Sequence, residues 1–114
     1  MRSLAGENTQ LRIFVNSLRR HHGQPVYESL VILARRQGLA GVTVLEGIEG
    51  FAQNQPVATP HAWELTESRE VILELVDSRD RLEAFLGDAG ALLADCIVTF
   101  ERAKVVYYGA EAKP

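Results

Sequence analysis

The sequence predicts an α+β fold, a ferredoxin-like βαββαβ domain with a four-stranded antiparallel sheet and two helices on one face. Three observations carry the prediction. Strand-like and helix-like runs follow one another as strand, helix, strand, strand, helix, strand. Each helical run has one apolar stripe, so the pair can cover only one side of a sheet. The two middle strands are joined by a long polar segment, residues 52–69, where a hairpin needs only about two to five residues. A loop of that length inside a small domain is usually functional or disordered.

Each element has its own signature. Residues 1–9 are polar and aperiodic, and a flexible N-terminal tail is expected there. From Gln10 to Asn16 the chain alternates, with Leu11, Ile13 and Val15 on one side and Arg12, Phe14 and Asn16 on the other, which reads as the first strand. Ser17 to Gln24 is a basic connector containing Gly23. Pro25 suits the first turn of a helix, where a missing N–H does no harm. Tyr27, Leu30, Val31 and Ala34 recur at helical spacing, widened by Val26 and Leu33; Arg35 and Arg36 suit the carboxyl end of the dipole and Gly38 suits the cap.

Val42 to about Phe51 reads as the second strand and Glu70 to Asp77 as the third. Asp77-Ser78 offers a choice of N-cap for the second helix, whose stripe is Leu82, Phe85, Leu86 and Ala89. Gly87 and Gly90 weaken that helix. Ile97 to Tyr108 is the fourth strand, and 109–114 is expected to be a flexible C-terminal tail, leaving one domain over 10–108. The strands carry Phe14, Ile72, Val76, Val98, Phe100 and Val106 on one register and comparable apolar residues on the other. A sheet apolar on both faces needs a second cover, and another subunit is the expected one.

The 114 residues suit a single domain, and 46% hydrophobic with 24% charged residues is ordinary globular composition. A net charge of −3 argues against a nucleic-acid partner, which calls for a basic stripe. No apolar run spans a bilayer, so direct membrane insertion is not expected. The single cysteine, Cys96, cannot close an internal disulfide, and a cytoplasmic location is the simplest expectation. Cys96 precedes an apolar strand and reads as a half-buried, inert thiol.

Three stretches together resemble a bacterial family of small uncharacterised proteins related to the PII signal-transduction superfamily. They are His22-Gly-Gln-Pro-Val-Tyr-Glu28, Gly38-Leu-Ala-Gly-Val-Thr-Val-Leu-Glu-Gly-Ile-Glu-Gly-Phe51, and Val76-Asp77-Ser78 with Glu83-Ala-Phe-Leu86. The likeness runs from Leu11 to Tyr108. It implies a PII-like homotrimer with sheets turned inward, ligand clefts between subunits, and a long loop that docks on a target protein such as a transporter or enzyme. It places Gly41, Thr43 and Val44 beside a nucleotide base and Gly50-Phe51 near phosphates, with Gly47 in the same glycine-rich stretch. Glycines let backbone amides approach a phosphate closely. The chain departs from the PII pattern at Leu92-Leu-Ala-Asp-Cys96, where a Gly- and Lys-rich phosphate loop would stand, and residues 52–69 hold no Tyr.

Other candidates are weaker. Arg102 and Lys104 share a strand face with Phe100 and could reach a neighbour's cleft or pair with Glu74. Tyr107-Tyr108 are expected to pack. Trp63 in the polar loop suits a partner anchor or a fold-back over the sheet edge. Glu46 and Glu49 read as solvated carboxylates rather than cation ligands. His21, His22 and His61 lack a recognised metal spacing, and adjacent histidines in an extended segment point apart. No nucleophile elbow, P-loop or cofactor motif is present. The expectation is a PII-like regulatory protein, not an enzyme, that binds a small anionic metabolite or nucleotide; a divalent-metal-binding trimer of the same fold is the alternative, and a small enzyme a weaker one.

Overall fold

A computed structural model of the chain describes residues 3–47 and 69–109. Strand β1 spans Gly6–Asn16, so it starts four residues before the position expected from the sequence, and Leu4 ahead of it is buried. The segment expected as a tail is thus partly strand. Its polar residues pair because the last strand runs alongside, with Gly6 opposite Val105, and the Asn8 amide donates to the Leu4 and Gly6 carbonyls.

After β1 a small hairpin forms, β2 (Arg20–His21) and β3 (Gln24–Pro25), turned at His22 and Gly23, both at positive φ. Pro25 stands just before helix α1 (Val26–Arg36) rather than in its first turn, because its ψ of 133° is still extended. The first helical amide, Val26 N, donates to Arg19 O at 2.9 Å, so the connector satisfies a donor the helix cannot. Val26, Leu30 and Ala34 form the buried stripe. Gly38 takes φ +71° just past the helix, a region that costs a side chain about 1–2 kcal/mol.

Strand β4 is short, Thr43–Glu46, and β5 is Glu70–Asp77 as the sequence predicts. Ser78 caps helix α2 (Arg79–Ala89), its Oγ accepting from Arg81 N at 3.3 Å. The helix runs through Gly87 and stops at Gly90, which begins a 3-10 turn, Gly90–Leu93. Strand β6 spans Ile97–Val105, three residues short of the expected end. Val106 and Tyr107 are exposed, so the expected packing of Tyr107 does not occur; Tyr108 is half-buried.

The sheet order is β4-β5-β1-β6, all antiparallel, with both helices on one side. Leu11, Ile13, Val15, Leu73 and Leu75 meet Val26, Leu30, Leu82 and Phe85 in the core. Fully burying each such side chain contributes about 1.5–3 kcal/mol. Val98 and Phe100 stand opposite Ile13 and Leu11, on the covered side. The residues expected together on one register are therefore divided, with Phe14, Ile72 and Val76 on the open side. There, Leu45, Ile72, Phe14 and Ile97 align across all four strands as one apolar row. Beside it lies a polar row, Thr43, Glu74, Arg12 and Thr99. Among the described residues no helix is long and apolar enough to cross a membrane.

Candidate functional site

Strand β4 forms one edge of the sheet, and its entry is set by the turn that leaves α1. Gly38 reverses the chain, and the Ala40 amide is then held by Asp77 Oδ2 at 2.9 Å. Gly41 and Thr43 follow into a groove of about 340 Å³, shared with Ala40, Glu74, Val76 and Tyr108. Backbone, hydroxyl and carboxylate groups thus meet an apolar wall. That mixture suits a flat polar ring with hydrogen-bonding edges better than a phosphate, because the charged group in the groove is an acid.

The structure does not bring all the sequence-predicted residues to this place. Val44 turns to the other side, opposite Leu73, and borders α1 near Tyr27 and Val31. Gly47 lies at the far end of β4. Its amide donates to Glu70 O at 2.7 Å, and a Cβ there would stand 3.3 Å from that oxygen. A side chain there is a tight fit that asks the Glu70 backbone to give slightly. Gly50, Phe51, Trp63, Glu49 and His61 lie outside the described residues.

Arg102 and Lys104 are exposed on β6, opposite Thr9 and Glu7. Strand β6 is the other edge of the sheet, three strand spacings from β4, or about 14 Å. One chain therefore does not join these cations to the Gly41–Thr43 groove. Nor do they pair with Glu74. That carboxylate accepts from Arg12 Nε at 2.8 Å, and Glu101 stands 3.9 Å from the same guanidinium. The hydrogen bond to Glu74 raises the Arg12 pKa.

A second cluster ties the strand ends at Gly47 and Arg69. Ser17 N donates to Arg69 O at 2.8 Å, Arg69 N donates to Ser17 Oγ at 2.9 Å, and Arg69 Nε lies 3.6 Å from Glu46 Oε1. Glu46 is exposed and ion-paired there. Burial raises the carboxyl pKa of neighbouring Glu70. Burial also pushes the Cys96 thiol up, against the opposing pull of Arg19, and so favours its protonated form.

The two adjacent histidines differ from expectation. His22 adopts φ 53°, which breaks the extended run, and its ring meets that of His21 edge-on at 4.1 Å. Among the described residues no three metal-ligating side chains gather. Sequence reasoning missed the Arg12–Glu74–Glu101 network and the reach of Asp77. The first had a usable signal: Arg12 and Glu74 are opposite charges at alternating strand positions that become one face.

Comparison with known proteins adds the context. The profile of the DUF190 family, described as "Uncharacterized ACR, COG1993", matches residues 8–105. A UPF0166 protein of Aquifex aeolicus (strain VF5) is 28% identical over 97 residues, which covers 85% of this chain and 91% of that protein. A further UPF0166 match from the same organism is 34% identical over 68 residues, 60% of this chain and 71% of the relative. Among solved structures, CPII from Thiomonas intermedia K12, bound to ADP, AMP and acetate, superposes with a TM-score of 0.65 at 11% identity, over 90% of this chain and 91% of that one. A Thermus thermophilus protein described as a putative PII-like signaling protein gives 0.60 at 20% identity, over 89% and 91%. At these identities the likeness shows a shared PII-like fold.

Proposed function

Because the chain belongs to the DUF190 family over residues 8–105, we propose that it is a PII-like regulatory protein that binds a small anionic metabolite, an adenine nucleotide being the first ligand to try. It acts by reversible binding rather than by catalysis, in the cytoplasm, as a homotrimer whose residues 52–69 engage a target protein. The observation that carries this reading is the placement of the Gly41–Thr43 groove at the rim of a sheet face that no described helix covers, crossed by the Leu45–Ile72–Phe14–Ile97 row. That row needs a cover, and a second copy set against it would bring its own residues toward the groove. The cations of β6 stand in register with Phe100, on the covered side at the opposite edge, so in this reading they reach the neighbour's cleft around the edge of the sheet and not from its open face. The CPII neighbour, solved with ADP and AMP, supports the choice of nucleotide.

A complementation experiment tests both parts. Thr43→Trp blocks the groove, and the pair Arg102→Glu with Lys104→Glu reverses the opposite edge. Each variant alone is expected to lose ADP binding in calorimetry. Co-expressed, they regain about a quarter of the wild-type sites if each cleft draws on two copies. Sedimentation as a single copy, or no recovery on mixing, sinks the shared cleft.

A further inference from the structure

Asp77 is fully buried at the end of β5. Its carboxyl group is used from both oxygens. Oδ1 accepts from Ser78 N at 2.7 Å, at the start of α2, and Oδ2 accepts from Ala40 N at 2.9 Å, 37 residues away in sequence. A helix start already capped by Ser78 has no need of a buried acid, and such a group is costly unless its hydrogen bonds compensate. The second bond explains the residue type. The ladder between β4 and β5 begins only at Thr43, and Leu39 is still tied back to Ala34 of the helix. Between these points the Ala40 amide is fastened by Asp77, one residue before Gly41 enters the groove.

We infer that Asp77 is a positioning residue for the ligand groove: through Ala40 it holds the Gly41–Thr43 backbone at the place where a ligand's ring edge would meet it. This rests on the groove being the ligand site. The alternative is that Asp77 serves the fold alone, and Asp77→Asn separates the two. The amide keeps the shape, but it offers one accepting oxygen and one NH2 where two backbone donors wait. One of the two amides must then face another donor.

The experiment pairs an ADP titration with amide hydrogen exchange, on wild type, on Asp77→Asn and on Val15→Ala, a core change at the other end of the sheet. Asp77→Asn is expected to weaken ADP binding at least tenfold and to speed exchange at Ala40–Thr43 at least tenfold relative to β1. Val15→Ala is expected to lower the melting temperature and keep the affinity. Unchanged affinity in Asp77→Asn, or the same loss in Val15→Ala, overturns the inference. Should wild type itself bind no ADP, the ligand reading falls by that result. Asp77 is then judged on exchange alone: acceleration confined to Ala40–Thr43 sustains it as the holder of that backbone, and a uniform change overturns it. Should Asp77→Asn not fold, an amide-to-ester replacement at Ala40 removes the single N–H, and exchange is read at Gly41 and Thr43 by the same criterion.

Discussion

The two faces of this sheet are made by the same strands from alternating residues, yet they are built to different rules. On the covered side, Leu73, Ile13 and Val98 line up, followed by Leu75, Leu11 and Phe100, and the helices close over them. On the open side one apolar row lies next to a row bearing the Arg12–Glu74 pair. A helix stripe can cover the first pattern, because it asks only for apolar volume. The second asks for a cover that supplies apolar contact at one level and polar partners at the next. The difference teaches that the same strands carry an apolar face on one side and alternating apolar and polar rows on the other.

The sharpest way to break the contrast is to change neighbours that point opposite ways. Ile13→Ala removes a core side chain and should cost about 2–5 kcal/mol in urea unfolding. Phe14→Ala should cost the protomer much less and instead weaken self-association, seen by sedimentation across a dilution series. Equal losses of stability with unchanged sedimentation would erase the distinction. A smaller effect tests the helical cover: Ser78→Ala frees the Arg81 amide at the start of α2 and should cost about 0.5–2 kcal/mol. Circular dichroism melts read it, and the open side should be unaffected.

Smaller still is the pH response of Glu70, which ends the open face opposite Asn16. Its native pKa lies above the usual 4.5, so the folded chain binds more protons than the unfolded one between those two values. Stability therefore falls as pH rises through that window, and Glu70→Gln should flatten the slope in denaturation curves taken from about pH 4 upward. An unchanged slope would mean that Glu70 is as solvated as an ordinary surface acid. The least visible effect concerns Cys96, whose thiol is held protonated by burial and partly offset by Arg19. Arg19→Gln should slow its alkylation at about pH 8 further; a faster reaction would show that loosening of the connector outweighs the lost charge.

Much of this was legible in the residues. Strand β5 is read to the residue because its eight positions alternate fully between buried and half-buried, and the buried set is apolar up to Asp77. The start of β1 is not, because Gly6–Gln10 is polar and is held by β6, about ninety residues later, a pairing that local periodicity does not carry. The site is legible in part. Gly41 and Thr43 stand together in the groove, but Val44 points away from it, a consequence of the two-residue period that separates neighbours along any strand. Asp77 looked like a choice of helix cap. Its bond to Ala40 crosses the fold and leaves no local trace.

Strand β6 carries one more consequence. It is a nine-residue outer rim, with Glu101, Arg102 and Lys104 exposed along it. A rim of that length is a template on which a foreign strand can crystallise, and charge is the usual deterrent. Replacing the two cations with valine should leave the protomer folded in dilute solution while turning concentrated samples cloudy. Poor yield of such a variant would then report sticking between molecules, and not a weakened interior.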